Sequence, residues 1–357
     1  MTKMNRICGK DLAALGVQGD STLIIAEAGI NHNGEKSMAF RMIDCAKEAG
    51  ADAVKFQTFH AADFISDAAL THSYFSQGKQ VTESQMAMFE RCEFSPEQWR
   101  EIAEYCKKKD IIFLSTPQNT TDLDILLPLG IPAIKVGSDD FVNLPLLKSY
   151  ARTGLPLLLS CGMADGADIH TALKTVGYFE GYPVVLFLCT SEYPTPPEDV
   201  NLKRLETLKT CYPGLVLGFS DHTQGATAAA CAAILGARVF EKHFTLDHNL
   251  PGPDHWFSAD PGELKIWCDT IRDAVKIGGS AILEPAKAEK ENALVSHRVL
   301  VASKKIKRGE LFTPQNMCLK RVSATGGYAS QYYDFFCGIP APKDFSSGDL
   351  ITLLTDR

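Results

Sequence analysis

From residue 21 onward, short β-branched apolar runs alternate with longer stretches whose apolar residues recur at helical spacing. The runs fall at 23–26, 53–56, 111–114, 133–136, 157–159, 184–188, 215–219 and 238–240. Between and after them, 35–49, 96–109, 122–129, 144–152, 167–178, 202–210, 223–235 and 261–277 carry the helical period. Runs of three to five mostly apolar residues suit a strand buried on both faces, and strands that alternate with helices pair in parallel. The alternation alone also fits a doubly wound open sheet. Eight consecutive units, in about the span of a (β/α)8 barrel, favour closure, so the predicted fold class is α/β, a TIM-type barrel.

Two connections exceed the usual handful of residues, 59–94 and 245–259. Both follow strands, where a β/α barrel builds its catalytic face, so both are candidate lids or substrate walls; surface insertion explains the first equally well. Residues 284–297, rich in Glu and Lys, read as a polar linker, and 298–357 open a new pattern of short strands and turns. The predicted organisation is therefore a barrel over 1–283, a linker, and a small domain from Arg298.

Composition narrows the function classes. The 357 residues are 45% hydrophobic and 22% charged, with 36 Lys and Arg against 43 Asp and Glu, a formal charge of −7. No basic tract marks a nucleic-acid footprint, which leaves a small-molecule partner. The 11 cysteines include no C-x-x-C pair, so neither a zinc ribbon nor a dithiol is indicated. The first 20 residues lack the uninterrupted apolar core of a secretory signal, and no stretch approaches the roughly 18 to 20 apolar residues of a membrane span. A cytoplasmic protein is expected.

What ends the strands is the informative feature. In order the runs lead into Glu27; Lys55 and Gln57; Ser115 and Thr116; Lys135 and Ser138; Ser160; Thr190 and Ser191; Ser220, Asp221 and His222; Glu241, Lys242 and His243. Any one Ser or Thr here is more often a helix cap than a ligand. Lys55 and Lys135, however, sit inside apolar runs, where an unpaired ammonium is costly to bury, so each needs an anion. Glu27 could supply one; two lysines with several hydroxyls could equally hold a phosphate. His222 and His243 end the seventh and eighth runs, each near a carboxylate, Asp221 and Glu241. They form a candidate metal pair with open positions, suited to Mn²⁺, or to Mg²⁺ or Co²⁺, acting as a Lewis acid rather than to structural zinc.

These residues lie in motifs that resemble the sialic acid synthases and the related legionaminic acid synthases. They are I-A-E-A-G-I-N-H-N-G (25–34), V-K-F-Q-T (54–58), S-T-P (115–117), K-V-G-S (135–138), C-T-S-E-Y-P (189–194), G-F-S-D-H-T (218–223), E-K-H-F-T-L-D (241–247) and P-G-P-D-H (251–255). The last sixty residues are similar to the antifreeze-like (SAF) domain of these enzymes, through K-K-I-K-R-G-E (304–310) and L-K-R (319–321). The resemblance implies condensation of phosphoenolpyruvate with an N-acylated mannosamine-type sugar, giving a nonulosonic acid and phosphate. It implies phosphoenolpyruvate on Lys55, Gln57, Thr116, Lys135, Ser138, Ser160 and Ser220, and a metal on His222 and His243. Glu27 would then position the aldehyde or handle a proton, and Glu241 would orient water. Tyr193 and Asp254 would meet the sugar. A homodimer is also implied, in which the small domain crosses to the partner's barrel so that Arg321 meets the N-acyl group.

The sequence departs from the family pattern at Asp139-Asp140, at Ser160-Cys161-Gly162, after Arg321 (Val-Ser-Ala-Thr-Gly-Gly) and at Trp256-Phe257. The last two touch the sugar end. They leave open N-acetylmannosamine, its 6-phosphate, or a 2,4-diacetamido-2,4,6-trideoxymannose, the substrate of N,N'-diacetyllegionaminate synthases. Two rival classes remain: a Schiff-base aldolase using Lys55 or Lys135, and a non-catalytic binding protein suggested by the final domain.

Overall fold

The computed structural model describes residues 21–67, 69–323 and 326–353. The chain divides into two compact units at Gly279/Ser280. In the first, eight parallel strands form one sheet: β1 (Leu23–Gly29), β2 (Ala53–Thr58), β5 (Ile112–Pro117), β6 (Ile134–Val136), β7 (Leu157–Ser160), β8 (Val184–Cys189), β9 (Val216–Asp221) and β10 (Val239–His243). Their order is β5-β2-β1-β10-β9-β8-β7-β6, and the two end strands, β5 and β6, lie against one another. This is the barrel expected from the alternation. Most strands run one to three residues beyond the apolar stretches, carrying the polar residues onto their carboxyl ends.

Period-two alternation sorts each strand into two faces. Leu23, Ile25, Ala53, Leu114, Ala133, Leu158, Val185, Phe187 and Val239 pack together inside the barrel. Ile24, Ala26, Val54, Phe56, Ile134, Leu159, Leu186, Phe219 and Phe240 join the surrounding helices in the larger core. Lys55 is two residues beyond Ala53, Thr116 two beyond Leu114, Lys135 two beyond Ala133, Ser160 two beyond Leu158, and Glu241 two beyond Val239. The parity that fills the barrel with apolar side chains thus places a polar layer directly above them.

The outward parity is polar in places too. Asp221 and Lys242 face the helix α1 (Pro261–Gly278), where Trp267 Nε1 donates to Asp221 Oδ2 at 2.8 Å and Lys242 Nζ approaches the same oxygen at 3.2 Å. Ser115 shares a 2.7 Å hydrogen bond with Thr58. The first long connection is not structureless. It folds a hairpin of β3 (Thr71–Ser76) and β4 (Lys79–Ser84), with Gln77 and Gly78 both at positive φ (53° and 75°), the two-residue turn that matches strand twist.

In the second unit β11 (Val299–Ala302) pairs antiparallel with β12 (Met317–Lys320) over a core that includes Leu300, Ile306, Phe312, Phe336 and Phe345. The stretch read as a polar linker carries a helix, α2 (Lys287–Ser296), none of whose residues is buried. An Ala-, Glu- and Lys-rich segment has the intrinsic propensity for helix without a core to pack on. No described helix is long and apolar enough to cross a membrane.

Candidate active site

A cavity of about 670 Å³ opens at the carboxyl ends of the barrel strands. Of the residues singled out in the sequence, Glu27, Lys55, Gln57, Thr116, Lys135, Ser138, Ser160, Tyr193, Ser220, His222, Glu241, His243 and Asp254 all line it. Arg321 belongs to the second unit, where its Nε donates to the Ser296 carbonyl at 2.8 Å and the side chain is otherwise exposed. A larger groove, about 1330 Å³, lies among the amino ends of strands such as β1 and β5, beside Leu23, Asp52 and Ile112. It gathers no buried ionisable group, and in a β/α barrel that end serves stability.

The floor of the cavity is a four-charge cluster. Lys55 Nζ lies 2.9 Å from Glu27 Oε2, 2.9 Å from Thr116 Oγ1 and 3.8 Å from Glu241 Oε2. Lys135 Nζ lies 2.8 Å from Ser160 Oγ and 3.5 Å from Glu241 Oε1, which also accepts from Ser220 Oγ at 3.3 Å. Gln57 Nε2 donates to Glu27 Oε1 at 3.2 Å. Both lysines are thus matched by carboxylates, as their burial requires.

The four groups do not share the environment equally. Burial pushes Glu27 up to about 7, with Lys55 pulling against it and Glu241 adding to the rise. Glu241 is also penalised by burial, but Lys135 and Lys55 together hold it below the ordinary carboxylate range. Burial and the neighbouring Lys55 depress Lys135, although Glu241 opposes them. Lys55 is raised, because its two carboxylates outweigh its burial. Two carboxyls with opposite shifts, one poised near neutrality and one ionised, are what acid–base work at one site needs.

Two glycines permit this packing. Gly29, at φ 53°, ends β1 where a Cβ would sit 3.4 Å from Glu27 Oε1 and 3.6 Å from His243. A Cβ at Gly162 would lie 2.4 Å from Ser191 Oγ and 2.7 Å from Ser138 Oγ, while its own N–H donates to Ser138 Oγ at 3.0 Å.

Above the floor, the His222 and His243 rings stand 5.5 Å apart between centroids. His222 Nδ1 lies 2.7 Å from the Thr190 carbonyl, which fixes the ring and leaves Nε2 available. Although burial pulls His222 down, Cys189 and the Thr190 carbonyl hold it above its ordinary value. His243 is driven well below, by burial and then by His222 and the lysines, so it stays neutral. Its Nδ1 is buried with no hydrogen-bond partner among the described residues. One fixed imidazole beside a second with an orphaned nitrogen fits a divalent ion with open positions. The nearby carboxylate is not Asp221, which turns outward to Lys242, but Asp254, whose Oδ2 is 3.9 Å from His243 Nδ1. A separate group, His248, Asp260 and Glu263, also has ligand spacing, but its carboxylates already cap α1.

Asp254 rides on the 245–259 connection, which the turn after β1 clamps. Asn31 Nδ2 donates to the Phe244 carbonyl at 2.8 Å and to Ser258 Oγ at 3.0 Å, and Asn33 Nδ2 donates to the Pro251 carbonyl at 2.8 Å. His255, pulled down to about 4 by burial, shares a 2.7 Å hydrogen bond with Thr245 Oγ1. The hairpin contributes His72, Ser73, Tyr74 and Phe75 to the cavity lining, none of them singled out in the sequence. The signal was there: β-formers flank Gln77-Gly78 on both sides at hairpin spacing.

The NeuB family model matches residues 42–282, and a SAF domain model matches 297–353. The chain belongs to the NeuB family. It is 40% identical to the N,N'-diacetyllegionaminic acid synthase of Campylobacter jejuni over 332 residues, 92% of this chain and 98% of that one. It is 33% identical to the N-acetylneuraminate-9-phosphate synthase of Drosophila melanogaster, over 94% of this chain and 91% of the relative. Among solved structures, the N-acetylneuraminic acid synthetase of Leptospira borgpetersenii in complex with citrate superposes with a TM-score of 0.69 at 33% identity, covering 77% of this chain and 91% of that one. This NeuB-family protein is accordingly an enzyme, a synthase of the sialic acid type.

Proposed function

We propose that this synthase joins phosphoenolpyruvate to an open-chain, N-acylated mannosamine-type sugar, forming a nonulosonic acid and inorganic phosphate. The observation that carries the reading is the floor cluster: two buried lysines, each held by a carboxylate, ringed by Thr116, Ser160 and Ser220, with Ser138 close by on the same wall. Phosphoenolpyruvate brings a carboxylate and a phosphate, the anions these lysines would take over from Glu27 and Glu241. Gln57 would orient the ligand beside them.

The chemistry follows from that placement. The methylene carbon of the enol attacks the sugar's aldehyde carbon, forming the new C–C bond, while the aldehyde oxygen gains a proton. Glu27, near neutrality, would position the aldehyde and supply that proton. Carbon 2 is left electron-deficient and takes up water, which Glu241, ionised between the lysines, orients and relieves of a proton. Cleavage of the C–O bond then expels phosphate and leaves the keto group. His222 and His243 are the residues that would hold a divalent ion, Mn²⁺ in our reading, whose contribution is to polarise the aldehyde carbonyl. Tyr193, 4.1 Å from His222 between ring centroids, and Asp254 would face the sugar. The reading includes a homodimer whose partner supplies Arg321 to the N-acyl group.

The test is phosphate release from phosphoenolpyruvate by chelator-stripped protein, with each candidate sugar and with or without Mn²⁺. Metal-dependent release with a sugar, and none without one, is the expected result. No release with any sugar from folded, metal-loaded protein would overturn it. Lys135, with its depressed ammonium, is the nucleophile an aldolase would use; borohydride with pyruvate should leave no adduct there.

A further inference from the structure

We infer that Phe75 and Trp256 form a specificity wall that receives an apolar substituent, a methyl or acyl group, at the end of the sugar remote from the aldehyde, and that the sugar is unphosphorylated. The inference rests on the synthase reading above, because that reading fixes which way the sugar points. The aldehyde carbon must lie at the floor, beside Glu27 and Glu241, where the enol is held. The rest of the sugar then extends toward the mouth.

The mouth is built from two segments that hold one another. The hairpin tip bonds to the connection after β10: Ser76 Oγ accepts from the Gly252 N–H at 3.2 Å, and Gln77 Nε2 donates to the Asn249 carbonyl at 3.1 Å. This brings the Phe75 and Trp256 rings to 5.9 Å between centroids, with Trp256 edge-on to Phe257 at 5.7 Å. Phe75 is 52% exposed and Trp256 37%, yet both line the cavity. Large aromatics left open to water beside a site are available surface for an apolar ligand group.

Charge decides what the wall rejects. Among the described residues that line the cavity, the only Lys or Arg are Lys55 and Lys135, both at the floor and both paired. The carboxyl side chains higher on its walls include Asp139, Glu192 and Asp254. A phosphate ester carried outward would meet aromatic rings and carboxyl groups on the described lining of this barrel, and the one cation that the dimer reading adds, Arg321, is there engaged by the N-acyl group.

The experiment measures KM and kcat for three acceptors at saturating phosphoenolpyruvate: an N-acylmannosamine with its terminal hydroxymethyl group, the terminal phosphate ester of that sugar, and a 6-deoxy acylated analogue. The variants are Phe75→Ala, Trp256→Ala and the conservative Trp256→Phe. The 6-deoxy sugar should give the highest kcat/KM and the phosphate ester the lowest, by at least about tenfold. Either alanine variant should raise the KM of the 6-deoxy sugar about tenfold and shrink its advantage over the hydroxymethyl sugar. The KM for phosphoenolpyruvate should not move, and Trp256→Phe should restore most of the loss. A phosphate ester used as well as the other two, or alanine variants that shift both substrates equally, would overturn the inference while leaving the synthase reading intact. Turnover of none of the three sugars would remove both.

Discussion

Replacing Lys55 with methionine keeps an unbranched apolar stem, one atom shorter, and removes the ammonium. In the wild type that ammonium lies 2.9 Å from Glu27 and 3.8 Å from Glu241. A unit charge pair at such distances is worth about 4 kcal/mol at an effective dielectric of 20. Phosphoenolpyruvate gains less than this, since it must displace Glu27 from Lys55 to bind. A net loss of about 2 to 4 kcal/mol remains, which is roughly 30- to 1000-fold in kcat/KM for phosphoenolpyruvate. The sugar's KM should change little, because Lys55 sits at the floor. The variant should still fold, for Glu27 has an alternative to ionising: with its counter-charge gone, burial drives it further above about 7 and it stays neutral. Steady-state kinetics with each substrate varied in turn would read the effect, and circular dichroism would establish the fold. A loss below about fivefold in kcat/KM for phosphoenolpyruvate would refute the placement of that ligand on Lys55.

Further outcomes follow from the same geometry. Glu27 binds its proton more tightly in the fold (about 7) than at its ordinary 4.5, so its stabilising share is complete below about pH 4.5 and lost as pH rises through 7. Melting temperature should therefore fall across that window in wild type, and Glu27→Gln should flatten this slope; an unchanged slope would count against the raised carboxyl. His222→Ala should weaken Mn²⁺ binding at least tenfold by calorimetry, and wild-type binding should release a proton, since His222 is held above its ordinary value; equal affinity in the variant would discard the histidine pair as ligands. Asn31→Ala frees the 245–259 connection and should raise the sugar's KM about tenfold with phosphoenolpyruvate unaffected, whereas equal loss for both would mean a purely structural role. Lys242→Met leaves Asp221 buried without its cation and should cost about 3 to 5 kcal/mol of stability, read as a lowered urea midpoint, with activity per folded molecule retained.

Lys242 and Lys55 show where the sequence was legible and where it was not. Both are lysines at the carboxyl ends of barrel strands, and the linear pattern treats them alike. The difference is parity. Lys55 is two residues beyond Ala53, which packs inside the barrel, and Lys242 is two beyond Phe240, which packs against the helices. Once the strands are known to close, the apolar residue two positions back tells which charge enters the cavity. The same rule turns Asp221 away from the histidines and Ser115 away from the substrate side, although their neighbours His222 and Thr116 belong there. Strand existence and the inner polar layer were thus written locally, by burial and period. The wall of the mouth was not, because Phe75 and Trp256 lie 181 residues apart and meet only through hydrogen bonds between a hairpin tip and a distant loop. Chemistry common to the family rests on strand parity, which each strand carries by itself. Choice of sugar rests on two loops finding each other, and no single segment encodes that.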